Sequence, residues 1–168
     1  MSRLVKAVSI VILAYIVYIV FSGSVSTYDL VLGFVVALLS GYLTSELLVG
    51  DVKKALDIRR FTWLVIYGIY YLTIAEFKAH WDVIKRILHP RMPINPGIVR
   101  TPYNVVNDYS IVAIANSITN TPGTVVVHLD EGRKIYYVHW IDVKAPDPKT
   151  TYDNIVKDFE RYVRKIFE

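Results

Sequence analysis

The sequence contains no cysteine among its 168 residues. This absence excludes disulfide bonds, zinc–thiolate sites, iron–sulfur ligation and thiol catalysis together. Also missing are phosphate-binding and dinucleotide-binding glycine loops, the nucleophile elbow of hydrolases and the paired carboxylates of glycosidases. We therefore expect a chain that is not an enzyme and that holds no cofactor.

Ionisable side chains are missing from the middle of the N-terminal half. No Asp, Glu, Lys, Arg or His lies between Lys6 and Asp29, and the apolar residues 7–22 fill most of that interval. A signal peptide would have a shorter apolar run and a small-residue cleavage site. We therefore predict a membrane span that is retained.

A second apolar stretch, residues 30–45, follows a short polar link and ends at Glu46. Residues 27–28 and 47–49 extend it to the length of about 20 residues that crosses a bilayer. The two stretches together predict a tight transmembrane helical hairpin.

The third apolar stretch, residues 61–75, is short, and Glu76 and Lys78 follow it. After it, apolar and charged residues recur at helical spacing, which predicts one long helix over residues 60–88 that ends at His89-Pro90. Its apolar side carries Phe77, Trp81, Ile84 and Leu88, and its charged side carries Lys78, Asp82, Lys85 and Arg86. Aromatic residues of the kind enriched at membrane–water boundaries are frequent in it: Trp63, Tyr67, Tyr70, Tyr71 and Trp81.

The net charge of +4 comes mostly from basic residues beside the apolar segments, which favours a role in topology and lipid contact over nucleic-acid binding. With two spans and both ends inside, all of these residues face the cytoplasm: Arg3, Lys6, Lys53, Lys54, Arg59, Arg60, Lys78, Lys85 and Arg86. With three spans, one basic cluster would face outward, against the positive-inside rule. We favour two spans with the third helix at the inner interface, and the three-span alternative stays open.

The remaining residues predict a small soluble α+β domain. Prolines in residues 90–102 predict an extended linker, and residues 108–119 predict a helix with Asp108 as its N-cap. Residues 124–129 and 134–143 predict a β-hairpin closed by Glu131 and Gly132, with Gly132 as the turn residue of positive φ. Its core face would hold Val125, Val127, Leu129, Tyr136, Val138 and Trp140. A C-terminal helix from residue 150 carries an apolar stripe of Ile155, Phe159, Tyr162, Val163, Ile166 and Phe167.

The fold class predicted is thus a membrane α-helical hairpin with a small cytoplasmic α+β domain. We divide the chain into the two-span hairpin at residues 1–50, a basic loop and aromatic membrane-associated helix at 51–90, and the soluble domain at 91–168.

Small residues form a candidate helix-packing face on the second span. Gly33, Ala37 and Gly41 recur every four residues, with Ser40 adjacent, and this spacing allows close approach of another helix. Neither span has an ionisable group at its centre, although ion pathways need such groups at depth. Glu46 and Glu76, at the ends of apolar segments, are the two candidate ion-pathway acids. His128 and His139 share a predicted face of the hairpin, without metal-ligand spacing.

Three motifs follow the two apolar segments and the aromatic helix: INPGIV at residues 94–99, ANSITNTPGT at 115–124 and YVHWIDV at 137–143. In this order they resemble the E-type subunit of the multisubunit Mrp-type Na⁺/H⁺ antiporters, over nearly the whole chain. The TPGT turn between the helix and the strand is the most specific part, while Asn120 stands where the family usually has leucine. The resemblance implies a place in an antiporter assembly, with other membrane subunits as partners and the soluble domain in the cytoplasm.

Similar subunits occur in free-standing antiporters and in archaeal respiratory complexes such as membrane-bound hydrogenases. The usage of Ile, Val, Tyr and Lys without cysteine is typical of thermophiles and favours the second setting. Three hypotheses follow: an accessory subunit that supports assembly and coupling of Na⁺/H⁺ translocation, an ion-pathway component that uses Glu46 or Glu76, and a free-standing membrane-anchored binding module.

Overall fold

The computed structural model describes residues 3–48, 54 and 57–168. The chain divides into two compact units, Met1–Ile58 and Arg59–Glu168. The predicted extension of the second span to Val49, and Lys53 of the predicted basic loop, lie outside the described residues. The division into three parts stays a prediction.

Two antiparallel helices form most of the described part of the first unit, α1 (Arg3–Ser22) and α2 (Thr27–Leu48). Gly23 ends α1 with a φ of +61°, a backbone conformation that glycine adopts without strain. Ser26 then caps the N-terminus of α2 through its side chain and Asp29. The Asp29 amide donates to Ser26 Oγ at 3.2 Å, and Ser26 Oγ donates to the Asp29 carboxylate at 2.6 Å.

Among the described helices, one is both long and apolar enough to cross a membrane, the stretch Thr27–Leu47. The apolar stretch Lys6–Ser22 of α1 is shorter. The helix predicted at each of these two places is present, with ends close to the predicted ones.

A long helix in three parts follows and, from Arg59 onward, belongs to the second unit. Its parts are α3 (Ile58–Tyr70), a π-helical turn (Tyr71–Ala75) and α4 (Glu76–Leu88). The predicted continuous helix over residues 60–88 is confirmed. It ends at His89, whose extended backbone (ψ 130°) is what a residue before proline prefers. The π-helical turn was not predicted.

A three-stranded antiparallel sheet follows, built from β1 (Gly97–Pro102), β2 (Thr124–Asp130) and β3 (Ile135–Trp140). The strand order is β1–β3–β2, so β3 lies in the centre. The prediction of a bare extended linker over residues 90–102 was wrong in its second half, because β1 pairs along its whole length with β3. Pro102 is tolerated there because it closes an edge strand.

The predicted core face of the hairpin is correct on β3 and partly wrong on β2. A β-bulge between Val126 and His128 shifts the register, so Val126 pairs with Val138 on the core side. Val125 and Val127 are 44% and 51% exposed. On β3 the three predicted core residues are buried: Tyr136, Val138 and Trp140. Leu129 on β2 is partly buried and packs against the core.

Two local predictions need correction. The N-cap of the next helix, α5 (Asp108–Asn120), is Asn107 instead of Asp108, because the Asn107 side chain accepts a hydrogen bond from the Tyr109 amide at 2.9 Å. The residue of the β2–β3 turn with positive φ is Lys134 (φ 56°) instead of Gly132.

The C-terminal segment is helical throughout, as α6 (Pro148–Thr151), a second π-helical turn (Tyr152–Val156) and α7 (Lys157–Phe167). Its predicted apolar stripe is confirmed, with Tyr162 and Phe167 half-buried and the other four residues buried. Together with α5 and the inner face of the sheet it forms one core. The core centre holds Val105, Ile114, Ile118, Tyr136, Val138, Val156 and Val163, all fully buried.

Candidate packing face and ion-pathway residues

The predicted small-residue face of α2 lies against α1. A Cβ atom added at Gly33 would lie 2.3 Å from Cδ1 of Tyr18, and one added at Gly41 would lie 2.5 Å from Cγ2 of Val11 and 3.0 Å from the Ala7 carbonyl oxygen. Ala37 between them is fully buried. The two helices are thus in closest contact where α2 has no side chain or only a methyl group.

The stripe continues one step beyond the predicted residues. Ser45 follows Gly41 at the same spacing of four and is fully buried. Ser40 lies at the side of the stripe, half-buried, and its carbonyl oxygen accepts a hydrogen bond from Thr44 Oγ1 at 2.7 Å. The extension could have been found from the spacing alone, because serine is one of the small residues that allow close helix contact.

The two candidate acids differ in their surroundings. Glu46 is exposed near the end of α2. Glu76 opens α4 directly after the π-helical turn, and its Oε1 atom is shielded from solvent. Its Oε2 atom lies 3.3 Å from His80 Nδ1. Burial, and then the nearby Glu76 carboxylate, raise the pKa of the Tyr71 hydroxyl.

The aromatic residues predicted to favour the membrane boundary mostly face protein. The Tyr67 hydroxyl is hydrogen-bonded to Ser117 on α5. Tyr70 stacks on Tyr162 of α7 at a centroid distance of 4.6 Å. At the start of the helix, Lys165 Nζ lies 3.7 Å from the centroid of the Trp63 ring, a cation–π contact. One face of α3 is therefore attached to the domain.

Arg86 attaches the other end of the long helix to the sheet. Its guanidinium donates to Asp82 at 2.9 Å, to Asp142 after β3 at 2.9 Å and to the Pro93 carbonyl at 2.8 Å. These hydrogen bonds to carboxylates raise the pKa of Arg86, the one to Asp82 most strongly. Sequence analysis placed Arg86 on the charged side of the helix but could not give its distant partner Asp142.

Both histidines of the hairpin lie on the exposed side of the sheet. His128 pairs with Tyr137, whose ring centroid is 5.5 Å away, and His139 pairs with Val125. No group of three or more metal-binding side chains occurs within the part of the chain that the structure describes.

Comparison with known proteins decides the family. The family model for the Na⁺/H⁺ ion antiporter subunit matches residues 11–166. This chain belongs to the family of E-type Na⁺/H⁺ antiporter subunits. The predicted resemblance is thereby confirmed, and the family is one of transporter components instead of catalytic enzymes.

Members of this family from staphylococci match over almost their full length. The Na⁺/H⁺ antiporter E1 subunit of Staphylococcus haemolyticus is 35% identical over 161 residues, 94% of each chain. The corresponding protein of Staphylococcus aureus strain Newman is 32% identical over 151 residues, 88% of each chain.

A solved structure also matches almost the whole chain. One chain of the membrane-bound sulfane sulfur reductase, described as an archaeal respiratory membrane complex, is 32% identical with a TM-score of 0.83. The match covers 96% of this chain and 99% of the other. These relatives are subunits of multisubunit membrane assemblies, and as a family member this chain is a membrane protein with other membrane subunits as partners.

Proposed function

We propose that this chain is a non-catalytic accessory subunit that supports assembly and coupling of Na⁺/H⁺ translocation in an antiporter module. In this proposal α1 and α2 cross the membrane as a hairpin, and the second unit lies in the cytoplasm. The observation that carries the proposal is the pairing of α1 and α2 through Gly33, Ala37 and Gly41. Because the small residues fill the contact between the two helices, the bulky apolar side chains of both helices point outward.

The outward side chains of the hairpin support a membrane partner. Exposed side chains on both helices are almost all apolar, among them Ile12, Leu13, Val17, Val31, Val35 and Leu39. Between Lys6 and Asp29, and again from Leu30 to Ser45, there is no ionisable residue of the kind an ion pathway needs at depth. Such helices pack against lipid or other helices without offering a cation a place to bind.

The orientation is supported by charge. Arg59 and Arg60 follow the hairpin, while the link between α1 and α2 contains neither lysine nor arginine. The positive-inside rule therefore favours a cytoplasmic second unit. We also propose an archaeal respiratory complex, such as a hydrogenase, as the setting. The full-length similarity to a chain of the sulfane sulfur reductase supports it, whereas the staphylococcal relatives carry the name of antiporter subunits.

Leucine substitutions on the packing face test the proposal. The Gly33→Leu/Gly41→Leu protein should pull down the other complex subunits weakly, because the hairpin that they contact can no longer close. The matched control is Val31→Leu/Val35→Leu, which adds leucines to exposed positions of the same helix. Affinity purification in mild detergent with mass spectrometry measures both. Recovery of an intact complex with the glycine variant would contradict the proposal.

A second candidate function is direct participation in the ion pathway through Glu76, favoured by the shielding of its Oε1 atom beside a π-helical turn. The Glu76→Gln complex should then assemble normally and lose sodium or proton flux in vesicles. Glu46→Gln, at the exposed end of α2, is the comparison. Normal flux in both variants would leave the accessory role as the better description.

A further inference from the structure

The long helix of the second unit has two different sides. Its packed side carries Tyr67, Tyr70, Ala75 and Arg86, which contact the domain. In α4 the side chains opposite them are apolar and exposed: Phe77 68%, Trp81 50%, Ile84 40% and Leu88 77%. The same holds for Phe61, Val65 and Ile69 of α3 and for Leu72 of the π-helical turn. At about 100° per residue, each set forms a stripe opposite its packed side. We call these residues together the outer face.

Two lysines flank the outer face in α4. Lys78 and Lys85 are exposed and, seven residues apart, lie on the same flank of the stripe in α4. Lys85 Nζ lies 5.5 Å from the Trp81 ring centroid. The two acids of α4 have basic neighbours in the same helix, Asp82 with Arg86 and Glu76 with His80. A surface of apolar side chains, a tryptophan and flanking lysines is complementary to anionic lipid headgroups.

We propose that the outer face lies in the cytoplasmic membrane interface, parallel to the bilayer, and that Lys78 and Lys85 bind the phosphate groups of anionic lipids. This inference rests on the proposed function for its membrane orientation. It adds a defined lipid-binding site, with Phe77 and Trp81 inserted beside the two lysines, and it assigns the third helix a position along the membrane.

Single fluorescent labels test the position, since the chain has no cysteine of its own. The full-length protein carries Ile84→Cys or Val65→Cys with an environment-sensitive label, and Val127→Cys on the exposed side of the sheet is the control. Each is reconstituted in nanodiscs of phosphatidylcholine with and without phosphatidylglycerol. The nanodiscs also contain lipids with a spin label either near the headgroup or at the centre of the bilayer. Quenching of the fluorescence by each of these lipids is measured.

The expected result is shallow quenching at positions 65 and 84 and none at 127. If one of the two labels is quenched from the centre of the bilayer, the helix crosses the membrane and the inference is wrong. If neither is quenched, the outer face does not contact lipid and the inference is equally wrong.

Charge removal tests the lipid site. Lys78→Gln/Lys85→Gln should lower the ratio of bound to unbound helix about fivefold for each lysine in anionic nanodiscs. In phosphatidylcholine alone the change should be small. Lys149→Gln/Arg133→Gln, which removes two exposed charges elsewhere, is the control and should have no effect. An equal effect of both pairs would overturn the site.

The same variants separate this inference from the proposed function. Co-purification of the partner subunits is measured with Lys78→Gln/Lys85→Gln and with Phe77→Ser/Trp81→Ser. Loss of lipid quenching with an intact complex supports the inference and leaves the accessory role unaffected. The label at position 84 is also measured in the assembled complex with both lysines unmodified. If it is quenched in the isolated chain but not in the complex, a partner subunit covers the outer face. That result would refute the lipid site and leave the accessory role unaffected.

Discussion

The rings of Tyr70 and Tyr162 stack with their centroids 4.6 Å apart, and the Tyr70 hydroxyl donates to Asp158 at 3.0 Å. Tyr162 also contacts the rings of Tyr67 and Trp63 at 5.7 and 6.5 Å. One residue of α7 is thereby the centre of the aromatic contact that attaches α3 to the domain.

Loss of the Tyr162 ring should detach α3. Each aromatic pair contributes about 0.5–1.5 kcal/mol beyond the area that it buries, so we expect Tyr162→Ala to weaken the attachment by about 2 kcal/mol. Amide hydrogens of α3 should then exchange about 30-fold faster in hydrogen-exchange mass spectrometry of the full chain. Tyr162→Phe keeps the ring and should behave like the parent protein. Unchanged protection in Tyr162→Ala would mean that other contacts hold the helix.

Two glycine-to-alanine changes should have opposite effects. Gly41→Ala places a methyl group against Val11 and the Ala7 carbonyl, and such overpacking costs about 1–3 kcal/mol. Gly68→Ala adds its methyl group where no atom lies within 4 Å, and should stabilise the helix by up to about 1 kcal/mol. Helicity measured during unfolding by SDS in mixed micelles reports both. Equal stability of the two variants would contradict the close contact at Gly41.

Replacement of Arg86 by lysine should loosen α4 from the sheet. Lysine keeps the charge, but its single nitrogen cannot replace the three separate guanidinium nitrogens that donate to Asp82, Asp142 and Pro93. We expect Arg86→Lys to destabilise the second unit by about 2 kcal/mol, in the range of charged hydrogen bonds. A double-mutant cycle with Asp142→Asn checks this by thermal unfolding. Strict additivity of the two changes would exclude a direct interaction.

The Asp147 carboxylate should make stability depend on pH in the acid range. The Thr150 amide donates to it at 2.9 Å, and this hydrogen bond lowers the pKa of Asp147 in the folded protein. The unfolded carboxyl has a pKa of about 3.9. The stabilisation is therefore complete above that value and is lost as the pH falls through the lower folded pKa.

Asp147→Asn provides the comparison, because asparagine also caps helices but does not titrate. Thermal unfolding between pH 6 and pH 2.5 should show a smaller loss of stability in the variant than in the parent. Identical pH profiles would mean that the cap does not couple to protonation.

The helices were predictable because their signals are long and periodic. The apolar stripe of α7 and the long third helix each extend over several turns, so a local error changes only an end. β1 was missed although residues 98–101 alternate between exposed and buried side chains, because the neighbouring prolines favoured a linker. Asn107 and Asp108 are both good N-caps, and only the backbone conformation decides between them.

The candidate packing face also has a part that the sequence predicts and a part that it does not. Gly33, Ala37 and Gly41 follow from spacing along one helix, which the sequence contains in full. Their contacts with Tyr18 and Val11 depend on how α1 is rotated about its own axis. The spacing of residues along α2 does not predict that rotation. The bulge between Val126 and His128 likewise turns Val127 outward without any glycine or proline to mark it.

The π-helical turn Tyr71–Ala75 sets how the two halves of the long helix are rotated relative to each other. In an uninterrupted α-helix of 3.6 residues per turn, the packed residues of α4 would point roughly 100° away from those of α3. The additional residue in the wider turn corrects that angle, so that both halves contact one domain. Deletion of one residue from this turn would leave each half helical. It would rotate Trp81, Lys78 and Lys85 by about 100° around the helix axis. Evolution can therefore redirect this surface by gaining or losing a single codon.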